Sequence, residues 1–185
     1  HVLEILSRQK ALNFTPGTHW SYSNSGYNLS AMLVARVSGM SFAEFTRKRL
    51  FEPLGMTRTS WRDDHKRIVK DRAVAYEPDP LGGFQTDMPF ENVHGNGGLL
   101  TTVGDLLKWN ENFVTPVVGD EAFAKEQQER GHFNDGRAHG YALGLFTRRA
   151  NWQRAAFGVA CSIVVPYVSC TLHLVHPYFY GVIAV

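Results

Sequence analysis

Residues 155–185 contain no charged side chain: all 19 Lys+Arg and all 17 Asp+Glu of the 185-residue chain lie before Ala155. The other shortages are milder. Cysteine is limited to Cys161 and Cys170, both in the uncharged stretch. A pair carries little information on redox compartment. Net charge is only +2, so the chain has no strong field of either sign and nothing suggests a nucleic-acid partner. Internal repeats and low-complexity tracts are absent. The glycine-rich stretches Gly82-Gly83 and Gly95–Gly98 lack the Lys-Ser/Thr of a phosphate loop, which excludes nucleotide binding by that device. No secretory leader opens the chain, a property shared by any interior piece of a longer protein.

What remains is ordinary globular material. Hydrophobic residues make up 44%, enough for residues 1–154 to build a core. Val2, Leu3, Ile5 and Leu6 suggest a short helix before the Pro16-Gly17 turn. Leu29, Met32, Leu33 and Val37 recur at helical spacing and predict a helix over Asn28–Gly39. Ser41 and Glu44 form a capping-box pattern for a second helix, running through Leu50 to Pro53. Leu54–Tyr76 reads as irregular, with Arg62–Arg67 a solvated charged turn, and Glu77–Asn96 as a long loop bordering a cleft. Thr101 or Thr102 caps a helix with Asp105 in its first turn, continuing through Trp109 to Phe113. Glu121–Glu129 reads as a further helix and Tyr141–Arg148 as a strand. Helices first and strands last predict an α+β fold, a helical lobe with part of an antiparallel sheet.

Chemistry concentrates in Tyr22-Ser23-Asn24. On an extended segment the phenol and the carboxamide point the same way, because side chains alternate with period two. A phenol can carry a proton. An amide oxygen can hold an ammonium group while its NH2 holds a carbonyl. Alone, the tripeptide reads much better as a loop whose Tyr packs and whose Asn caps a turn.

Its setting resembles a known family. Phe14-Thr15-Pro16-Gly17-Thr18-His19-Trp20-Ser21-Tyr22-Ser23-Asn24-Ser25-Gly26-Tyr27 is similar to the second active-site element of the β-lactamase-related, penicillin-recognising serine hydrolases. These include class C β-lactamases, D-Ala-D-Ala carboxypeptidases and related esterases. Phe51–Thr59 resembles their F-x-P-L-G-M-x-x-T element, and Gly97–Leu106 their G-G-L-x-S/T-T-x-x-D-L helix start. Asn134-Asp135-Gly136 with Tyr141–Leu145 resembles the strand before their third motif.

The resemblance implies an acyl-enzyme hydrolase of β-lactams, D-amino-acid peptides or esters. Tyr22 and Asn24 would be its catalytic pair, and Ser23, Gly97, Gly98 and Leu99 would line the substrate. The implied partner is a small molecule or peptide; no cofactor or metal is implied, and a periplasmic or secreted location follows from the family alone. The family's nucleophile is the Ser of S-x-x-K, one helical turn from its Lys. Here S-x-x-K occurs only as Ser7-Arg8-Gln9-Lys10, a continuous polar run that reads as a solvated face. The nucleophile helix is therefore expected to be missing and the chain to be an inactive fragment. At the third motif, K-T-G or H-x-G in the family, Gln153–Gly158 retains only Gly158. A non-catalytic binding or scaffold module is the alternative that this loss suggests.

Two features stay open. Residues 155–185 read as diverged sheet strands, as a frameshifted segment joined to a genuine 1–154 domain, or as a membrane anchor. The anchor is the weakest reading, since Pro166 and Pro177 interrupt the stretch and His173 and His176 are costly in lipid. His132, Asp135 and His139 have no metal-ligand spacing and suggest a turn around Asp135-Gly136, while His94, before Gly95–Gly98, reads as a loop histidine that more often faces solvent than lines a cleft.

Overall fold

The computed structural model describes residues 2–88, 92 and 95–146. The readings of 155–185, of His94 and of the third motif lie outside these residues. Among the described residues no helix is long and apolar enough to cross a membrane.

The chain runs through α1 (Val2–Ser7), α2 (Asn24–Ser38) and α3 (Phe42–Thr46), which continues as a π-helical turn over Arg47–Phe51. Then come β1 (Ser60–Trp61), β2 (Tyr76–Pro78), β3 (Phe84–Thr86), β4 (Leu99–Leu100), α4 (Val103–Glu111) and α5 (Glu121–Gln128). β1 pairs antiparallel with β4, and β2 with β3, as two separate two-stranded sheets. The α+β class therefore stands, with the helices dominant.

Helix α2 starts at Asn24, four residues before the predicted Asn28, despite the weak helix formers Ser25 and Gly26. Packing overrides propensity here: Gly26, Tyr27 and Asn28 are all buried. The buried stripe is Tyr27–Ala31–Val34, whereas Met32 and Val37 of the predicted stripe are 37% and 54% exposed. The predicted end holds, with Gly39 left-handed at φ 69° and its N–H on the Ala35 carbonyl.

Ser41 caps α3 by accepting from the Glu44 N–H at 3.2 Å. The reciprocal half of the box is not made, because Glu44 binds Lys48 instead. The core gathers α2's stripe with Phe42, Leu50, Phe51, Met56, Trp61, Trp109 and Val118. Trp61 packs tilted against Phe42, ring centroids 5.1 Å apart, and its indole N–H donates to Thr46 Oγ1, so this buried donor is paired.

Three further expectations are corrected. The long Glu77–Asn96 loop contains the exposed β2–β3 hairpin, turned by Gly82 and Gly83 at φ 104° and 84°. Arg62 is not part of a solvated turn; it is buried, because its N–H extends the β1–β4 ladder to the Gly98 carbonyl at 2.7 Å. The described part of Tyr141–Arg148 is a tight turn closed by a Tyr141↔Phe146 bridge, since Gly144 at φ 79° reverses the chain.

Candidate functional site

Tyr22 lies outside any helix or strand and Asn24 is the first residue of α2. Between them Ser23 is the N-cap, at φ −143° and ψ 125°, and its hydroxyl makes no capping bond. Ser23 is extended but Asn24 is already helical, so the strand-like alternation assumed for Tyr22 and Asn24 does not reach Asn24. Tyr22 is 57% exposed and Asn24 is also exposed; neither is buried in the core.

The Gly95–Leu100 segment meets the same helix. A Cβ on Gly95 would lie 2.6 Å from the Tyr27 carbonyl oxygen and 2.9 Å from Ala31 Cβ, and Gly95 has φ +113°. Only glycine allows this approach. It brings the loop onto the first two turns of α2, the helix that Asn24 opens. Gly97 and Gly98 follow at intermediate exposure, and Leu99 pairs with Trp61 in the β1–β4 ladder. We expect Gly95→Ala to cost about 1–3 kcal/mol from overpacking and strain. Gly97→Ala, with open space around its Cβ, is expected to stay within about 0.5 kcal/mol. Urea unfolding of the two variants checks the contrast.

Below this loop, Asp105 ties two of the sequence elements together. It is buried, and its Oδ2 accepts from the Arg58 N–H and from Thr59 Oγ1, each at 2.8 Å. Having given its proton to Asp105, Thr59 accepts from Thr101 at 2.8 Å. Lys108 donates to Asp105 Oδ1 at 3.1 Å and also to the Gly55 carbonyl. Burial acts to raise the Asp105 carboxyl; bonds from Thr59, Lys108 and the Arg58 N–H outweigh it, and the pKa is lowered. Thr102 caps α4 as predicted, accepting from the Asp105 N–H at 3.3 Å.

The hairpin centred on Asp135-Gly136 is the predicted turn, with a His132↔Ala138 bridge and Gly136 at φ +83°. Asn134 reaches the turn before Tyr22: its Nδ2 donates to the Pro16 carbonyl at 3.0 Å and its N–H to the Gly17 carbonyl at 2.8 Å. At the hairpin's other end the Tyr141 hydroxyl is 2.5 Å from that of Tyr27, and the Tyr141 ring is 5.5 Å from Trp20. Nothing in the sequence pointed to Tyr27–Tyr141, a pair 114 positions apart. His139 packs against Phe133 at 5.2 Å; burial, then the charge of His132, push its pKa down.

Ser7 is the last residue of α1, and its hydroxyl donates to the Glu4 carbonyl at 2.8 Å. Lys10 lies beyond the helix end, so the pair does not share a helical turn. Among the described residues no group of three or more His, Cys, Asp or Glu is placed to hold a metal ion.

Comparison with known proteins agrees with the elements so assembled. The D-aminopeptidase of Brucella anthropi is 31% identical over 142 residues, covering 76% of this chain and 27% of that enzyme. The chain thus spans about a quarter of the length of this relative. The penicillin-binding protein of Bacillus halodurans shares the fold, with TM-score 0.66 at 21% identity over 80% of this chain and 47% of its own. The D-amino acid amidase of Ochrobactrum anthropi SV3, solved with L-phenylalanine amide, gives TM-score 0.54 at 25% identity, covering 70% of this chain and 40% of its own. A family model described as Beta-lactamase matches residues 4–164, a span that takes in both the Tyr22–Asn24 segment and the Asp105 junction, and the chain belongs to that family of serine hydrolases.

Proposed function

We propose that this chain is the tyrosine–asparagine part of an acyl-enzyme hydrolase that cleaves amides of D-amino acids. The observation that carries the reading is the exposed placement of Tyr22 and Asn24 at the start of α2, on the helix that also receives the Gly95–Leu100 loop. In the proposed reaction a serine oxygen attacks the substrate carbonyl. Tyr22 takes the serine proton and delivers it to the departing amine nitrogen, and water then releases the acid. Asn24 Nδ2 donates to the substrate carbonyl, while Oδ1 accepts from an ammonium group. Ser23, Gly97, Gly98 and Leu99 border the substrate. The names of the relatives, a D-aminopeptidase and a D-amino acid amidase, favour D-amino amides over β-lactams and esters.

The serine and lysine belong to a segment outside these 185 residues, since Ser7–Lys10 is the one S-x-x-K present and its serine is turned onto its own helix. We read residues 1–154 as the family domain's share; the family match reaches residue 164, which favours diverged family sequence over a foreign segment at the start of 155–185. The chain by itself is expected to release no p-nitroaniline from D-alanine p-nitroanilide. It is expected to bind D-phenylalaninamide in preference to the L form, with amide NMR shifts confined to residues 20–28 and 95–100. Asn24→Ala should weaken that binding roughly tenfold, the scale of one charge-assisted hydrogen bond. Turnover abolished by Ser7→Ala, or binding indifferent to Asn24→Ala, would contradict the reading. The non-catalytic alternative shares the binding and differs in predicting an inert residue where the upstream serine should stand.

A further inference from the structure

The segment from Gly17 to Tyr27, which contains Tyr22 and Asn24, is anchored at both ends to one hairpin. At the first end Asn134 donates twice, from Nδ2 to the Pro16 carbonyl at 3.0 Å and from its N–H to the Gly17 carbonyl at 2.8 Å. The fit is close. Gly17 has φ +79°, and a Cβ there would stand 2.1 Å from Asn134 Oδ1. At the second end the Tyr141 hydroxyl bonds that of Tyr27, and Trp20 packs against Tyr141 and Phe146 at 5.5 and 6.2 Å. The hairpin itself is closed by Gly131 N–H to the Tyr141 carbonyl and His139 N–H to the Gly131 carbonyl, at 3.1 and 3.0 Å. It therefore spans the distance between the two anchors as a braced unit.

We propose that the 131–146 hairpin is a two-point template for the Tyr22–Asn24 segment, with Asn134 a positioning residue that acts on Tyr22 through the Pro16–Gly17 turn. The significance for catalysis rests on the reading of Tyr22 and Asn24 given above; the mechanical claim does not. Tyr22 is exposed, and no hydrogen bond from the core holds the backbone between Trp20 and Ser23 in the described residues. Its position is then set by where the two ends of the segment are fixed. Asn134 is well suited to the first end: the same side chain supplies a donor and fills the space above Gly17.

The test uses 15N relaxation of the chain and needs no substrate, so its outcome is independent of whether the protein is a hydrolase. Asn134→Asp keeps the shape but has no Nδ2 hydrogen to give the Pro16 carbonyl. Order parameters at residues 19–23 are expected to fall from about 0.85 toward 0.6 in Asn134→Asp and Asn134→Ala, with α4 and α5 unchanged. Tyr141→Phe, which loosens the second anchor, should act on the same residues. Gly17→Ala should loosen the segment in both backgrounds and less so in Asn134→Ala, where the clash with the Asn134 side chain is gone and only the strain of φ +79° remains. Unchanged order parameters at 19–23 in both Asn134→Asp and Asn134→Ala would overturn the proposal. So would a loss spread evenly over α4 and α5, which would make Asn134 a general stabiliser.

Discussion

Replacing Asp105 with alanine is expected to lower the unfolding free energy by about 2–4 kcal/mol, the scale of removing one buried carboxylate that accepts several hydrogen bonds. The site explains the size. Asp105 is 3% exposed and accepts from the Arg58 N–H and the Thr59 hydroxyl. Alanine leaves the part-buried Arg58 N–H without its acceptor and leaves the Thr59 hydroxyl only Thr101 to bond, and a lost partner of this kind costs about 1–3 kcal/mol. Part of the charge partner survives in solvent, because Lys108 is half exposed and also bonds the Gly55 carbonyl. Asp105→Asn keeps an acceptor for Arg58 and Thr59, and is expected to cost about 1–2 kcal/mol.

The pH dependence has a definite sign. The folded carboxyl titrates below its ordinary value, so the unfolded chain takes up the proton first as acid is added. The contribution of Asp105 is complete above the unfolded carboxylate pKa of about 3.9, and is lost as pH falls through the lower folded value. Urea unfolding at pH 7, and again between pH 5 and 2.5, should show the loss in the wild type and a flatter acid limb in Asp105→Asn. A wild-type acid limb indistinguishable from that of Asp105→Asn would remove the carboxylate from this role.

Local signals were legible in the sequence, and long-range ones were legible only through motifs. Ser41 and Thr102 were recognised as caps because the bonds that make them caps span three residues. The α2 start was misplaced because what fixes it, the burial of Tyr27 and its bond to Tyr141, comes from the far end of the described chain. The Tyr141–Arg148 stretch read as a strand, yet Gly144 in a left-handed conformation turns its described part back on itself. The two-residue strands β1 and β4 carry too little pattern for periodicity to detect. Where periodicity was silent, the family-like elements did better. The 51–59 and 97–106 stretches were noticed separately, and Asp105 joins them through Arg58 and Thr59. The candidate pair at 22 and 24 came from the family-like run around it, since the tripeptide alone reads better as an ordinary loop. The hairpin that frames it was not legible, since Asn134 carries no mark in sequence of its contact with Pro16 and Gly17.

Tyr22 as the proton carrier is the centre of the functional account, and its loss has the largest expected effect on activity. A phenylalanine retains the ring and the packing but has no hydroxyl to take the serine proton or hand it to the leaving amine. Removing such a group costs about 10²–10⁴ in rate. The proposed substrate contacts through Asn24 and the Gly97–Leu99 segment are left in place, so KM should change little while kcat falls. The measurement is turnover of D-alanine p-nitroanilide by the reading frame extended upstream to include an S-x-x-K helix, comparing Tyr22 with Tyr22→Phe at equal folded protein. The account predicts kcat reduced by at least about a hundredfold with KM within roughly threefold; a Tyr22→Phe enzyme that turns over within twofold of the unsubstituted protein would contradict it.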